Sequence, residues 1–224
     1  MGKSSTKGTP SRVDDKSAGV FPNSRFQSAG LFFDQYAIEL AAALGSINRT
    51  QLDLAIAILE DAVERDATIF TCGNGGSAAI ANHMVCDHQK GINTDTGLQP
   101  KLISLSSNVE LLTAVSNDIS YAEVFAFPLR IHGRRGDVLV TVSSSGNSEN
   151  IVQAIRAAKT LGIKTVALTG FDGGRSRKEA MAAIHVDGWN YGVVEDAHQT
   201  CMHVMAQYIR HKVIPKKLLG HRRF

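Results

Sequence analysis

The stretch Thr71-Cys72-Gly73-Asn74-Gly75-Gly76-Ser77 decides the fold. An apolar, β-rich run from Ala67 to Cys72 feeds into it, and a helix-like segment carrying His83 and Asp87 follows. A strand that enters a glycine-dense turn and leaves as a helix keeps the first backbone N–H groups of that helix free, and free N–H groups at a helix start hold anions. His83 and Asp87 are four residues apart, so on a regular helix they share the face next to that anion site. The stretch therefore predicts a strand–turn–helix unit with proton-transfer or metal-ligating side chains beside an anion cradle.

Working outward, residues 29–66 show helical spacing twice. Phe32, Phe33, Tyr36, Ile38, Leu40 and Ala43 form one series, and Leu52, Leu54, Ala55, Ile58, Leu59 and Val63 the other, with Ser46 and Asn48 between them. Five short apolar runs follow, at 68–72, 101–105, 137–142, 164–168 and 183–186, each separated by a helical pattern. Strands alternating with helices predict an α/β fold, a five-stranded parallel sheet flanked by helices. In such sheets ligands bind at the carboxyl ends of the strands, where strand order reverses. A long final helix is predicted over 193–213, opening on Glu195 and Asp196, whose charge suits a helix N-terminus.

The third strand run ends in Ser143-Ser144-Ser145-Gly146-Asn147-Ser148, again directly before an apolar-periodic helix. Hydroxyls and free N–H groups together make a second anion nest. Ser148 is alternatively just the cap of that helix. Two cradles at strand ends point to a phosphorylated ligand. Gly73-x-Gly75-x-x-Ala78 also fits a dinucleotide fingerprint, which needs an acidic residue at the end of the second strand. That strand ends Leu105-Ser106-Ser107, without a carboxylate, and no Gly-Lys-Ser/Thr follows the glycines, so neither a nicotinamide site nor a Walker loop is expected.

Composition narrows the class further. The 224 residues carry 43% hydrophobic and 20% charged side chains and a net charge of +3, with no run apolar enough to span a bilayer. A membrane protein is excluded, and no nucleic-acid partner is expected, because Lys and Arg are interleaved with Asp and Glu except at the C-terminus, where Lys216, Lys217, Arg222 and Arg223 cluster. Three cysteines without a C-x-x-C pair fit a reducing compartment and are read as buried. Residues 1–24 read as a disordered arm, 25–214 as one domain and 215–224 as a basic tail. Candidate acid and base groups are His83, Asp87, His88, Glu195, His198 and His203. Glu195 and His203 are about 12 Å apart along a helix, so they share a ligand only with extended side chains or across a subunit boundary.

Gly73-Asn74-Gly75-Gly76-Ser77 with His83, Ser116-Asn117-Asp118 with Phe125, the run Ser143 to Ser148, and Glu195-Asp196-x-His198 then His203 occur in the order and spacing of one family. The chain, from about Phe32 to Ile209, resembles the sugar-isomerase (SIS) domain, flavodoxin-like in fold, of the sedoheptulose 7-phosphate isomerases, or phosphoheptose isomerases. The resemblance implies a cytoplasmic homotetramer with active sites at subunit interfaces and a phosphorylated sugar as substrate. It also implies conversion of D-sedoheptulose 7-phosphate to D-glycero-D-manno-heptose 7-phosphate for bacterial heptose precursors. By the same resemblance Ser77, Ser143, Ser145 and Ser148, with Gly75, Gly76 and Ser144 beside them, hold phosphate, and Asn74, Asp118 and Glu195 line the sugar site. Asp87 falls at the catalytic base and His203 at the acid opposite, while His83, Asp87, Glu195 and His203 fall at the ligands of one Zn2+.

Three departures stand out. Asp87 replaces the family glutamate, Glu195 replaces its glutamine, and Gln89-Lys90-Gly91 replaces the Gly-Arg that commonly follows the acidic residue. A base displaced by about 1 Å can cost about a hundredfold in rate. The alternatives are an isomerase of another sugar phosphate, or a non-catalytic SIS protein, either an adaptor of the replication-initiation regulator type or a sugar-phosphate sensor. An adaptor needs neither Asp87 nor His203, and both are present.

Overall fold

In a computed structural model, which describes residues 20–222, the two runs of helical apolar spacing become helices α1 (Ala29–Ser46) and α2 (Arg49–Glu64). Ser28 caps the first, accepting from Leu31 N, and Asn48 caps the second, accepting from Gln51 N. The chain then alternates: β1 (Thr68–Gly73), α3 (Gly76–Cys86), β2 (Lys101–Ser104), α4 (Val109–Asp118), α5 (Ala126–His132), β3 (Val138–Ser143), α6 (Glu149–Leu161), β4 (Lys164–Thr169), α7 (Gly174–Glu179), β5 (Ala182–His185) and α8 (Tyr191–Val213). Every strand pairing is parallel and the order is β2-β1-β3-β4-β5. Each strand lies within a residue or so of its expected position.

Alternation along the strands builds a core on each face of the sheet. Ile69, Val138, Val140 and Val142 pack toward α2, α3 and α8, against Leu59, Met84, Met202 and Met205. Phe70, Cys72 and Leu139 pack on the other face against Leu129, Ile151 and Ile155 of α5 and α6. The chain runs from β1 outward to β2 and then back to β3 on the other side, so the reversal lies between the carboxyl ends of β1 and β3. Those two ends carry the glycine run and the serine loop. Among the described residues no helix is long and apolar enough to cross a membrane.

Two local expectations are corrected. The final helix starts at Tyr191, because Asn190 caps it by accepting from Val193 N at 3.1 Å; Glu195 and Asp196 thus lie in its second turn, away from the free N–H groups. Cys72 and Cys201 are buried but Cys86 is exposed. Most of the expected N-terminal arm lies outside the described residues, yet near its end Phe21 packs on Phe32 at a ring separation of 5.1 Å. The basic C-terminal segment turns at Lys216–Leu218 and returns Arg222 to Asp95, Nε to Oδ2 at 3.2 Å.

His88 and His198 are completely buried, and burial lowers both imidazoles from the ordinary 6.5 to about 4. In the unfolded chain they titrate near 6.5, so between pH 6.5 and 4 the unfolded state binds protons that the native state refuses. Their contribution is intact above pH 6.5 and is lost progressively down to pH 4. We expect Tm to fall across this window, and to fall less steeply in His198→Gln. Equal slopes for the two proteins would contradict the assignment.

Candidate active site

The glycine run turns where only glycine turns easily. Gly75 has φ 53° and ψ −125°, which reverses the chain so that α3 can start at Gly76 without a side-chain cap. On the neighbouring strand, Ser143 Oγ accepts from Gly146 N at 3.2 Å and Ser145 Oγ accepts from Asn147 N at 3.3 Å, folding the serine loop back on itself. Ser148 occupies the cap position of α6, but its side chain makes no capping bond. The two loops enclose a cavity of about 120 Å³ lined by Asn74, Ser77, Ser143, Ser144, Ser145, Ser148, Tyr191 and Glu195. Ser144 Oγ is buried there with no hydrogen-bond partner among the described residues. Hydroxyls converging at the start of two helices suit an anion with several acceptor oxygens.

Side chains that spacing did not single out hold the cavity rigid. Asn74 and Asn150 exchange reciprocal amide bonds at 2.9 Å each, and Tyr121 OH donates to Asn74 Oδ1 at 2.8 Å. Ser106, in the place where a nucleotide enzyme would carry its ribose-binding acid, accepts from Gly73 N at 3.1 Å and donates to Gly73 O at 2.9 Å. The end of β1 is thus tied to the loop after β2. Asn190 and Tyr191 acquire roles as a cap and a cavity wall, and Trp189 stacks on Phe171 with ring centroids 5.7 Å apart.

Glu195 reaches this cavity from α8. Its carboxylate rests on Gly76, where an added Cβ would meet Oε2 at 2.5 Å and Oε1 at 2.7 Å. Burial, and then the nearby Asp196, raise its pKa. Asp196 itself accepts from Tyr36 OH at 2.6 Å, fastening α1 to α8.

Two turns further along α3 stands the second half of the site. His83 Nε2 lies 3.2 Å from Asp87 Oδ1, and His203 Nε2 lies 3.4 Å from Asp87 Oδ2. The two rings face each other edge to face at 5.2 Å. Asp87 opens a π-helical turn, Asp87–Gly91, that continues α3; such turns cluster at functional sites. The donor atoms of His83, Asp87 and His203 all lie within 4.8 Å of one another. Ligands about 2.0–2.1 Å from a tetrahedral zinc stand about 3.3 Å apart, so two imidazoles and a carboxylate at these spacings fit a divalent ion. The Gln199 amide Nε2 lies 2.9 Å from His83 Nδ1 and 3.0 Å from His203 Nε2.

The structure does not bring every expected residue together. Glu195 does not join the His83, Asp87 and His203 group, since its carboxylate is directed to Gly76 instead. Asp118 ends α4, exposed, accepting from Asn117 Nδ2 at 2.7 Å, and does not line the small cavity. Asp87 and His203 also border a second cavity of about 470 Å³ with Lys90, Thr94, Gln207 and Arg210, which places the Lys90 charge beside the same group.

The SIS domain family matches residues 33–170 of the chain. The phosphoheptose isomerase of Helicobacter pylori strain P12 is 34% identical over 165 residues, covering 70% of this chain and 82% of that one. The phosphoheptose isomerase of Vibrio parahaemolyticus is 38% identical over 164 residues, covering 72% and 84%. Among solved structures, phosphoheptose isomerase GmhA of Neisseria gonorrhoeae superposes with a TM-score of 0.74 at 29% identity, covering 81% of this chain and 96% of that one.

Proposed function

Since the chain belongs to the SIS-domain family, alongside the phosphoheptose isomerases, we propose that it is a sugar-phosphate isomerase that converts D-sedoheptulose 7-phosphate to D-glycero-D-manno-heptose 7-phosphate through an enediol. The observation that carries this reading is the pairing of a hydroxyl-lined anion cavity with the Asp87 and His203 pair, both supported by α3 and α8. Ser77 and His83 are six residues apart on α3, about 9 Å along its axis, a span that a sugar phosphate bridges with its phosphate at one end and its carbonyl at the other. Ser77, Ser143, Ser144, Ser145 and Ser148 take the phosphate, with the N–H groups around Gly75 and Gly76. Asn74, held by Asn150 and Tyr121, orients the sugar hydroxyls.

Aldose–ketose exchange moves one proton between C1 and C2 and another between the two oxygens. Asp87 takes the carbon-bound proton and returns it to the neighbouring carbon. His203 serves the oxygens from the opposite side. His83, Asp87 and His203 would hold one Zn2+, which when bound supplies polarisation of the carbonyl. Incubation with D-sedoheptulose 7-phosphate, with and without zinc, followed by kinase-coupled detection of the aldoheptose phosphate, tests the reading. Appearance of that product supports it. Turnover of other ketose phosphates alone would reassign the substrate, and no turnover of any would refute the enzyme.

Gly76→Ala places a Cβ 2.5 Å from Glu195 Oε2 and 2.7 Å from Oε1, so the carboxylate must shift from its seat on Gly76. We expect about a hundredfold loss of kcat/KM with the helical CD spectrum retained. Wild-type activity would show that Glu195 has no part in binding substrate.

The same reading includes a cytoplasmic homotetramer with active sites between subunits. It is supported by α1, which leaves Leu31, Phe33 and Ile38 exposed at 51%, 69% and 62%. Light scattering should return about four chain masses. A single-chain mass would overturn this part.

A further inference from the structure

We propose that Gln199 completes the metal centre formed by His83, Asp87 and His203, in the place that the resemblance assigns to Glu195, and that Glu195 faces the substrate cavity instead. The inference rests on the metal reading above and deepens it. Glu195, Gln199 and His203 recur at intervals of four on α8, so all three present to one side of that helix. Gln199 stands one turn from His203, whereas Glu195 stands two turns away, about 12 Å along the axis, and the contacts agree with that difference. The Gln199 amide stands 2.9 Å and 3.0 Å from the two imidazoles, close to the separation of neighbouring ligands on a tetrahedral ion. The Glu195 carboxylate is instead fitted against Gly76 and lines the cavity with Ser77 and Ser145.

The chemistry of the donors agrees. A half-turn of the Gln199 amide puts Oε1 where Nε2 stands, which gives a neutral oxygen donor beside two imidazoles and one carboxylate. His83 turns Nε2 to Asp87 and Nδ1 to Gln199, so the ring lies between the two side chains that would complete the centre with it. A divalent ion then meets one carboxylate, Asp87, and the charge of Glu195 is left for the sugar hydroxyls. The two departures from the family at positions 87 and 195 thus become parts of one rearrangement: a shorter carboxylate within the centre and a second carboxylate released from it.

Zinc affinity, measured by competition with a chromophoric chelator, and the visible spectrum of the Co2+-loaded protein decide the matter for wild type, Gln199→Ala, Gln199→Glu and Glu195→Gln. The expected result is an affinity at least about tenfold weaker in Gln199→Ala, with an altered Co2+ spectrum. Gln199→Glu, which keeps an oxygen donor, restores the affinity, and Glu195→Gln stays within about twofold of wild type. Equal affinity and spectrum in wild type and Gln199→Ala would overturn this inference while leaving the metal reading intact. So would a loss in Glu195→Gln as large as that expected of Gln199→Ala. A wild type that binds neither ion would overturn both. Thermal unfolding of each metal-free variant checks that it is folded.

Discussion

Asp87→Asn is expected to lower kcat for D-sedoheptulose 7-phosphate about a thousandfold while KM changes by no more than a few fold. Asparagine keeps the shape of Asp87 and one of its acceptor oxygens, so the ring positions of His83 and His203 change little. It cannot take a proton from carbon, and it removes the negative charge that both imidazoles face at 3.2 Å and 3.4 Å. The anion cavity lies elsewhere on the two loops and should bind the phosphate as before. Steady-state kinetics with metal content measured on the same samples separates loss of the base from loss of the ion. Full activity in Asp87→Asn would refute its role as base. A raised KM with unchanged kcat would move Asp87 from proton transfer to substrate binding.

His203→Gln is the second large effect. Glutamine can reach the position of Nε2 and donate a hydrogen bond but cannot cycle a proton near neutral pH, so kcat should fall by about 10²–10⁴-fold. Because Asp87 and His203 are in contact and act on one intermediate, the double variant should be little worse than the more damaging single one. Multiplicative losses would show that the two side chains act independently. Both variants should retain the fold of wild type, since Asp87 and His203 are partly exposed and carry none of the buried apolar packing.

The five parallel strands were legible because each depends on local signals. Alternating apolar runs and helical spacing were enough to place all five strands and the long helices, and the glycine and serine loops announced themselves at strand ends. The glycine run with the serine loop is contiguous in sequence at each half, so both halves of the cavity could be read. What escaped was what depends on contacts between distant segments. Asn150 and Tyr121 meet Asn74 across 76 and 47 positions, and neither has a local pattern to mark it. Gln199 was missed for a different reason. Repeats of four on α8 place it on the same side as Glu195 and His203, and residue type drew attention to the carboxylate. The contacts of Gln199 with both imidazoles and the seating of Glu195 on Gly76 separate the two. The start of α8 shifted for a local reason, because Asn190 outcompetes the later acidic pair as the cap.

Proton exchange at carbon gives the most direct test of the central claim. Incubated with D-sedoheptulose 7-phosphate in D2O and followed by proton NMR, the protein should produce an anomeric aldose signal and place solvent deuterium on the carbon that receives the transferred proton, and Asp87→Asn should do neither at a comparable rate. Unchanged C1 proton signals and no aldose, from folded and metal-replete wild-type protein, would contradict the account.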